Sequence, residues 1–123
     1  MKPTKIQQKR ILVVDDEQAV RASTHMLLEI DGHTVFDAES GAEALERVQS
    51  GGIDLVITDF RMPGMTGGEL TSQIKQIAPT TAVIILTAWP QDVAPETPAD
   101  AVVAKPYTLD SLRQALAQAA RSK

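Results

Sequence analysis

Cysteine is absent from this chain of 123 residues, which excludes disulfides, thiolate zinc sites and cysteine nucleophiles. Aromatic residues make up only 3%, leaving little to stack on a flavin. No apolar stretch approaches the roughly 20 residues that a bilayer span requires. The N-terminus, MKPTKIQQKR, is basic with no apolar run behind it, so it does not read as a signal peptide. Positive charge is also scarce: twelve Lys and Arg face sixteen Asp and Glu, a formal charge of −4. Lys2, Lys5, Lys9 and Arg10 all lie in the first ten residues, so the body that follows is more acidic still. That balance opposes a nucleic-acid-binding surface and docking on anionic membranes. A soluble cytoplasmic domain is expected. The length suits one domain, and 43% hydrophobic residues suffice for a real core.

Strand-like and helix-like segments alternate along the chain. Ile11–Val14, Ile53–Thr58, Thr81–Leu86 and Ala101–Ala104 are short, continuous and largely β-branched apolar runs. Such runs suit strands covered on both faces, as in a parallel sheet. Thr34–Asp37 is weaker and reads as an edge strand. Gln18–Ile30 has apolar residues at helical spacing, with Gly32 as its stop. Ser40 with Glu43, and Thr66 with Glu69, have capping-box spacing and open helices to Gln49 and about Ile77. Thr108 caps a last helix striped by Leu109, Leu112 and Leu116, whose polar end, AQAARSK, is expected to fray. The alternation implies a doubly wound α/β sandwich with right-handed crossovers. Ligands in such folds sit beyond the carboxyl ends of the strands.

The residues at those ends carry chemistry. The first strand runs into Asp15-Asp16-Glu17, the third into Asp59, the fourth into Thr87-Ala88 and the fifth into Lys105-Pro106. Parallel strands bring these groups to one edge. Crowded carboxylates repel unless protons or a cation neutralise them. An all-oxygen set selects a hard divalent cation, with Mg2+ foremost, and Mg2+ leaves coordination positions for phosphate oxygens. Lys105 offers a positive charge for a phosphoryl group and Thr87 a hydroxyl. A carboxylate can itself be the nucleophile, giving an aspartyl phosphate. Taken singly, each residue has an ordinary structural role, such as acidic residues opening a helix or a turn aspartate before Met62-Pro63-Gly64. Their joint occurrence at four strand ends is what points to a site.

ILVVDDE (11–17), DLVITDFRMPGMTGGEL (54–70), ILTA (85–88) and AKPY (104–107) together resemble the receiver domain of two-component response regulators, of the chemotaxis-regulator-like kind. The resemblance spans nearly the whole chain. It implies a flavodoxin-like five-stranded parallel sheet in order 2-1-3-4-5 with five helices. It implies a lead-in at residues 1–10, a receiver domain at 11–120 and a polar tail at 121–123. Asp59 then matches the phosphoacceptor, which takes its phosphoryl group from a histidine kinase or phosphotransfer protein. Asp16 matches the direct Mg2+ ligand and Asp15 its partner, usually through water. Asp59 and the backbone carbonyl of Arg61 complete the metal set. Thr87 matches the switch hydroxyl, Lys105 the lysine that pairs with the phosphoryl group, and the Lys105–Pro106 bond is expected to be cis. The chain would be a signalling domain rather than an enzyme. It is compatible with a stand-alone regulator, a relay module or a receiver within a longer protein, and so with a further output domain or an effector protein as partner.

Two departures bear on the switch. Where the family often has an aromatic residue three positions before the lysine, this chain has Val102. The stretch between Thr87 and Lys105 is several residues shorter than usual and holds Pro90, Pro95 and Pro98. The fourth helix, between the fourth and fifth strands, is therefore expected to be truncated, irregular or missing, and the face it helps to build remodelled. Trp89, the only tryptophan, is either a half-buried loop aromatic or a cover over Asp59 that limits water, with Arg61 across the same opening. A flavodoxin-type cofactor module would need a hydroxyl- and glycine-rich loop where Asp15-Asp16-Glu17 stands. A phosphatase of α/β type usually has Asp where Arg61 stands, plus a cap domain. A pseudo-receiver acting as a protein-interaction module without phosphorylation is the remaining alternative.

Overall fold

Ile11 and Val13 belong to one apolar cluster and Leu12 and Val14 to another, and all four are buried. A strand apolar on both faces has to be covered on both. The computed structural model describes residues 8–121, and the lead-in and tail residues at 1–7 and 122–123 lie outside it. Among the described residues the elements are β1 (Arg10–Val14), α1 (Gln18–Ile30), β2 (Thr34–Ala38), α2 (Gly41–Gln49), β3 (Leu55–Asp59), α3 (Gly67–Ile77), β4 (Ala82–Thr87), a 3-10 turn (Pro90–Asp92), β5 (Ala101–Ala104) and α4 (Leu109–Arg121). All strand pairs are parallel, in the order β2-β1-β3-β4-β5.

The two clusters are the two layers. α1 and α4 cover one face, with Leu28, Leu112, Ala115 and Ala119 against Ile11, Val13, Ile57, Ile84 and Val103. α2 and α3 cover the other, with Ala44, Val48, Leu70 and Ile74 against Leu12, Val14, Val56 and Val83. α1 and α2 leave the sheet on opposite sides, so the reversal of strand order falls between β1 and β3. That is where an open α/β sheet forms its crevice.

No α-helix joins β4 to β5 among the described residues; the 3-10 turn stands in its place. Pro90 starts this turn, and Pro95 and Pro98 follow it, so no helix propagates. One face of β5 is left bare: Ala101 and Val103 are buried against α4, whereas Val102 is 41% exposed. Asp100 anchors the end of the segment. Its carboxylate accepts from the Val83 amide (2.8 Å) and from Lys75 Nζ (2.9 Å).

Local signals operate with small differences. Thr66 and Glu69 form the complete reciprocal cap of α3. At α2 the Ser40 hydroxyl accepts from the Glu43 amide, but the Glu43 carboxylate accepts from Glu39 rather than from Ser40. Thr108 Oγ1 accepts from the Ser111 amide at the start of α4. β1 takes in Arg10 because its amide and carbonyl bond the side chain and amide of Asp54, both at 2.8 Å. Asp59 and Thr87 close their strands from within the ladder, opposite Leu86 and Ala104.

His33 Nδ1 accepts from the Lys9 amide (3.0 Å), so the ring proton sits on Nε2, which is buried without a partner among the described residues. Burial, aided by Lys9 and opposed by Asp31, holds the His33 pKa below its ordinary value. A histidine depressed in this way stabilises the fold above its unfolded pKa of about 6.5, and that contribution is lost as pH falls through the folded value. His25 has the opposite sign. Burial opposes its charge, but Asp37 (2.8 Å) and Glu29 (3.1 Å) outweigh burial and raise its pKa. Its contribution is complete below about pH 6.5 and fades as pH rises through its folded value. Comparing wild type with His33→Gln isolates the first effect. The variant is expected to be less stable near pH 7.5, with the gap narrowing near about pH 5.5; urea denaturation at both values checks this, and a gap independent of pH refutes it.

Candidate functional site

Asp15 and Asp16 follow β1, Asp59 closes β3, Thr87 closes β4 and Lys105 follows β5, so all five lie at the carboxyl edge of the sheet. One oxygen from each of Asp15, Asp16 and Asp59 lies within 4.8 Å of the others. Asp15 is 4% exposed. It is held at both its side chain and its backbone: the Glu17 amide donates to its Oδ1 (2.9 Å), and Arg21 Nη1 donates to its carbonyl (2.7 Å). Burial pushes the Asp15 carboxyl above the usual carboxylate range, and Asp59 and Asp16 add to this, against the Glu17 hydrogen bond and Lys105.

Lys105 Nζ donates to Asp59 Oδ1 at 2.6 Å. Burial opposes its charge, but Asp59, with help from Asp15, outweighs burial and raises the ammonium pKa above its ordinary value. The backbone aims this side chain. The Lys105 amide donates to the Thr87 carbonyl (2.8 Å) and the Lys105–Pro106 bond is cis. Tyr107 Oη and Thr24 Oγ1 are hydrogen-bonded, tying the following loop to α1. Nothing in the sequence signalled that contact, since the two hydroxyls are 83 residues apart.

Thr87 is 2% exposed, and its Oγ1 accepts from the Trp89 amide (3.1 Å). Arg61 follows Asp59 by two residues, and its side chain turns to the β4–β5 segment. Arg61 Nη2 bonds Asp92 Oδ2 at 2.6 Å, and Cζ lies 4.7 Å from the centroid of the Trp89 ring. Trp89 is 49% exposed. With Glu17, Asp59, Arg61, Thr87, Ala88 and Lys105 it lines a cleft of about 210 Å³. The indole is thus a wall of the Asp59 cleft, under the Arg61 guanidinium. The Arg61–Asp92 bond had no local signal, since it joins the loop after β3 to the turn at Pro90–Asp92, 31 residues away.

The carboxylate cluster contains no His or Cys, an oxygen donor set that suits a hard divalent cation. Lys105 neutralises one edge of it.

A family model described as "Response regulator receiver domain" matches residues 11–117. The chain is 33% identical over 112 residues to sporulation initiation phosphotransferase F of Bacillus subtilis, covering 88% of this chain and 90% of that protein. It is 39% identical over 90 residues to the CAI-1 autoinducer sensor kinase/phosphatase CqsS of Vibrio cholerae, covering 73% of this chain but only 13% of that protein. Among solved structures it is similar to the response regulator protein TrrA of Thermotoga maritima in complex with Mg(2+)-BeF, with a TM-score of 0.83 and 36% identity over 90% of this chain and 98% of that one. TrrA has also been solved in complex with the histidine kinase ThkA, where the TM-score is 0.81, the identity 36% and the coverage 90% and 97%.

The backbone of Asp59 rests on Gly67. The Gly67 amide donates to the Phe60 carbonyl (2.7 Å), and a Cβ on Gly67 would lie 2.5 Å from the Asp59 carbonyl oxygen and 3.0 Å from Phe60 Cα. Backbone cannot yield as a flexible side chain does. Gly67→Ala is expected to cost about 1–3 kcal/mol of stability by overpacking and to shift Asp59. Urea denaturation measures the first effect, and an unchanged midpoint refutes it.

Proposed function

Since the chain belongs to the response regulator receiver domain family, we propose that it accepts a phosphoryl group on Asp59 from the phosphohistidine of a histidine kinase or phosphotransfer protein, with Mg2+, and changes conformation in response. The observation that carries this reading is the meeting of Asp15, Asp16, Asp59, Thr87 and Lys105 at one edge, with Lys105 Nζ 2.6 Å from Asp59. Asp59 Oδ attacks phosphorus in line. The new O–P bond forms as the N–P bond breaks, and its electron pair leaves with the imidazole nitrogen. Asp15, Asp16, Asp59 and the Arg61 carbonyl would hold Mg2+, which supplies charge neutralisation and orientation of the phosphoryl oxygens. Lys105 stands within reach of the oxygens that arrive on Asp59, and its raised pKa keeps it cationic for them. Thr87 supplies a hydroxyl donor. Residues 11–120 would form the receiver unit. The histidine kinase reading draws support from the kinase complex of TrrA and from the sensor kinase relative.

The role is that of a signalling domain, in the cytoplasm, rather than of an enzyme with turnover. A phosphorylation-independent interaction module has less support, because every group the chemistry uses is present. Output contacts belong to the remodelled side of the sheet at β5, and a separate effector or a fused output domain is the class of partner.

Asp59→Asn is expected to reduce acid-labile phosphate from a phosphohistidine donor to background. Lys105→Ala is expected to slow transfer by on the order of 10²-fold without abolishing it. Single-turnover transfer with radiolabelled donor checks both, and stable label on Asp59→Asn overturns the assignment.

A further inference from the structure

The β4–β5 segment is tied to the candidate site at three points, and each can respond to charge on Asp59. The Trp89 amide donates to Thr87 Oγ1 (3.1 Å), the Trp89 ring lies 4.7 Å from Arg61 Cζ, and Asp92 holds Arg61 Nη2 at 2.6 Å. Within the turn, the Asp92 amide donates back to the Trp89 carbonyl (2.9 Å), so the turn moves as one piece. Val102 is 41% exposed on the bare face of β5 and carries no ring to couple with Thr87.

We propose that Arg61 and Asp92 form a latch that closes the Trp89–Asp92 turn in the unphosphorylated protein and opens when Asp59 is phosphorylated. This inference rests on the phosphoacceptor reading and adds the path by which the signal leaves the site. The latch pair is exposed, with side-chain exposures of 63% for Arg61 and 39% for Asp92. Such pairs contribute little, so a stronger anion displaces them. A phosphoryl group brings more charge than one carboxylate and offers several oxygens to a planar guanidinium. Arg61 lines the same cleft as Asp59, on the side from which such a group is reached. Rotation of the Thr87 hydroxyl toward the same oxygens withdraws the acceptor from the Trp89 amide. Movement of Arg61 breaks two of the three ties and rotation of Thr87 the third, which frees the turn and uncovers the Trp89 ring beside the bare face of β5. The device does in this chain what a helix between β4 and β5 and a ring at position 102 would otherwise have to do.

Trp89 is the only tryptophan, so its fluorescence reports the latch directly. Acrylamide quenching is measured with Mg2+ alone and with Mg2+ plus beryllofluoride, in wild type, Asp92→Asn, Asp92→Glu and Asp59→Asn. Fluorine NMR of bound beryllofluoride monitors occupancy in parallel. Wild type is expected to move on beryllofluoride from a partly shielded quenching constant toward that of free tryptophan. Asp92→Asn, which loses one of the ties, is expected to start more open than wild type and to change less on beryllofluoride, Asp92→Glu to behave as wild type, and Asp59→Asn to stay closed. Equal quenching of wild type and Asp92→Asn without beryllofluoride overturns the latch. So does an unchanged Trp89 in wild type that shows bound beryllofluoride. If no bound signal forms in wild type, the phosphoacceptor reading itself falls and takes the latch with it.

Discussion

Crowding of like charge at the carboxyl edge of the sheet is the constraint around which the rest of the molecule is arranged. Asp15, Asp16 and Asp59 offer oxygens within 4.8 Å of one another, and one of these residues is buried. A fold tolerates that only if opposing groups are held in place rather than left to find their positions. Parallel strands supply the rigid mounting. Lys105 is set by its own amide bond to β4 and by the loop that Tyr107 ties to α1. Asp15 is set by amide and guanidinium donors. The acidic cluster is thus held ready for positive charge.

The loss of the helix between β4 and β5 changes what surrounds this cluster more than the cluster itself. Asp100 fastens the far end of the segment to β4 and to Lys75, while Trp89 and Asp92 fasten the near end to Thr87 and Arg61. The far anchor is largely buried and the near one exposed, with side-chain exposures of 19% and 11% for Lys75 and Asp100 against 63% and 39% for Arg61 and Asp92. Stability therefore differs along a segment of a dozen residues. The end beside Asp59 is the one that yields first.

Much of this was legible in the residues themselves. Continuous β-branched runs give a sheet covered on both faces, and the charged residues at their ends converge on one candidate site, because a parallel sheet has only one carboxyl edge. Proline content announced the missing helix. What stayed hidden depends on how distant segments pack. Ser40 and Glu43 have the spacing of a reciprocal cap, yet the carboxylate bonds one residue further back, a choice that the spacing does not determine. The Thr24–Tyr107 bond, the close approach of Gly67 to the Asp59 backbone and the Arg61–Asp92 pair join groups that no local rule brings together. His33 reads as an ordinary loop residue until the fold buries it against Lys9.

β5 is also the last strand of the sheet, a lateral edge that another sheet could extend, a hazard for any parallel α/β protein. Its length limits that hazard. β5 has four residues, Pro98 lies just before it and Pro106 just after, and neither proline has an amide to donate. The carboxylate of Asp100, at the strand's entrance, is already bonded to Val83 and Lys75. A strand arriving from another molecule would find too short a ladder to hold it, so the surface opened by the missing helix is available to side-chain contacts while remaining a poor template for sheet growth.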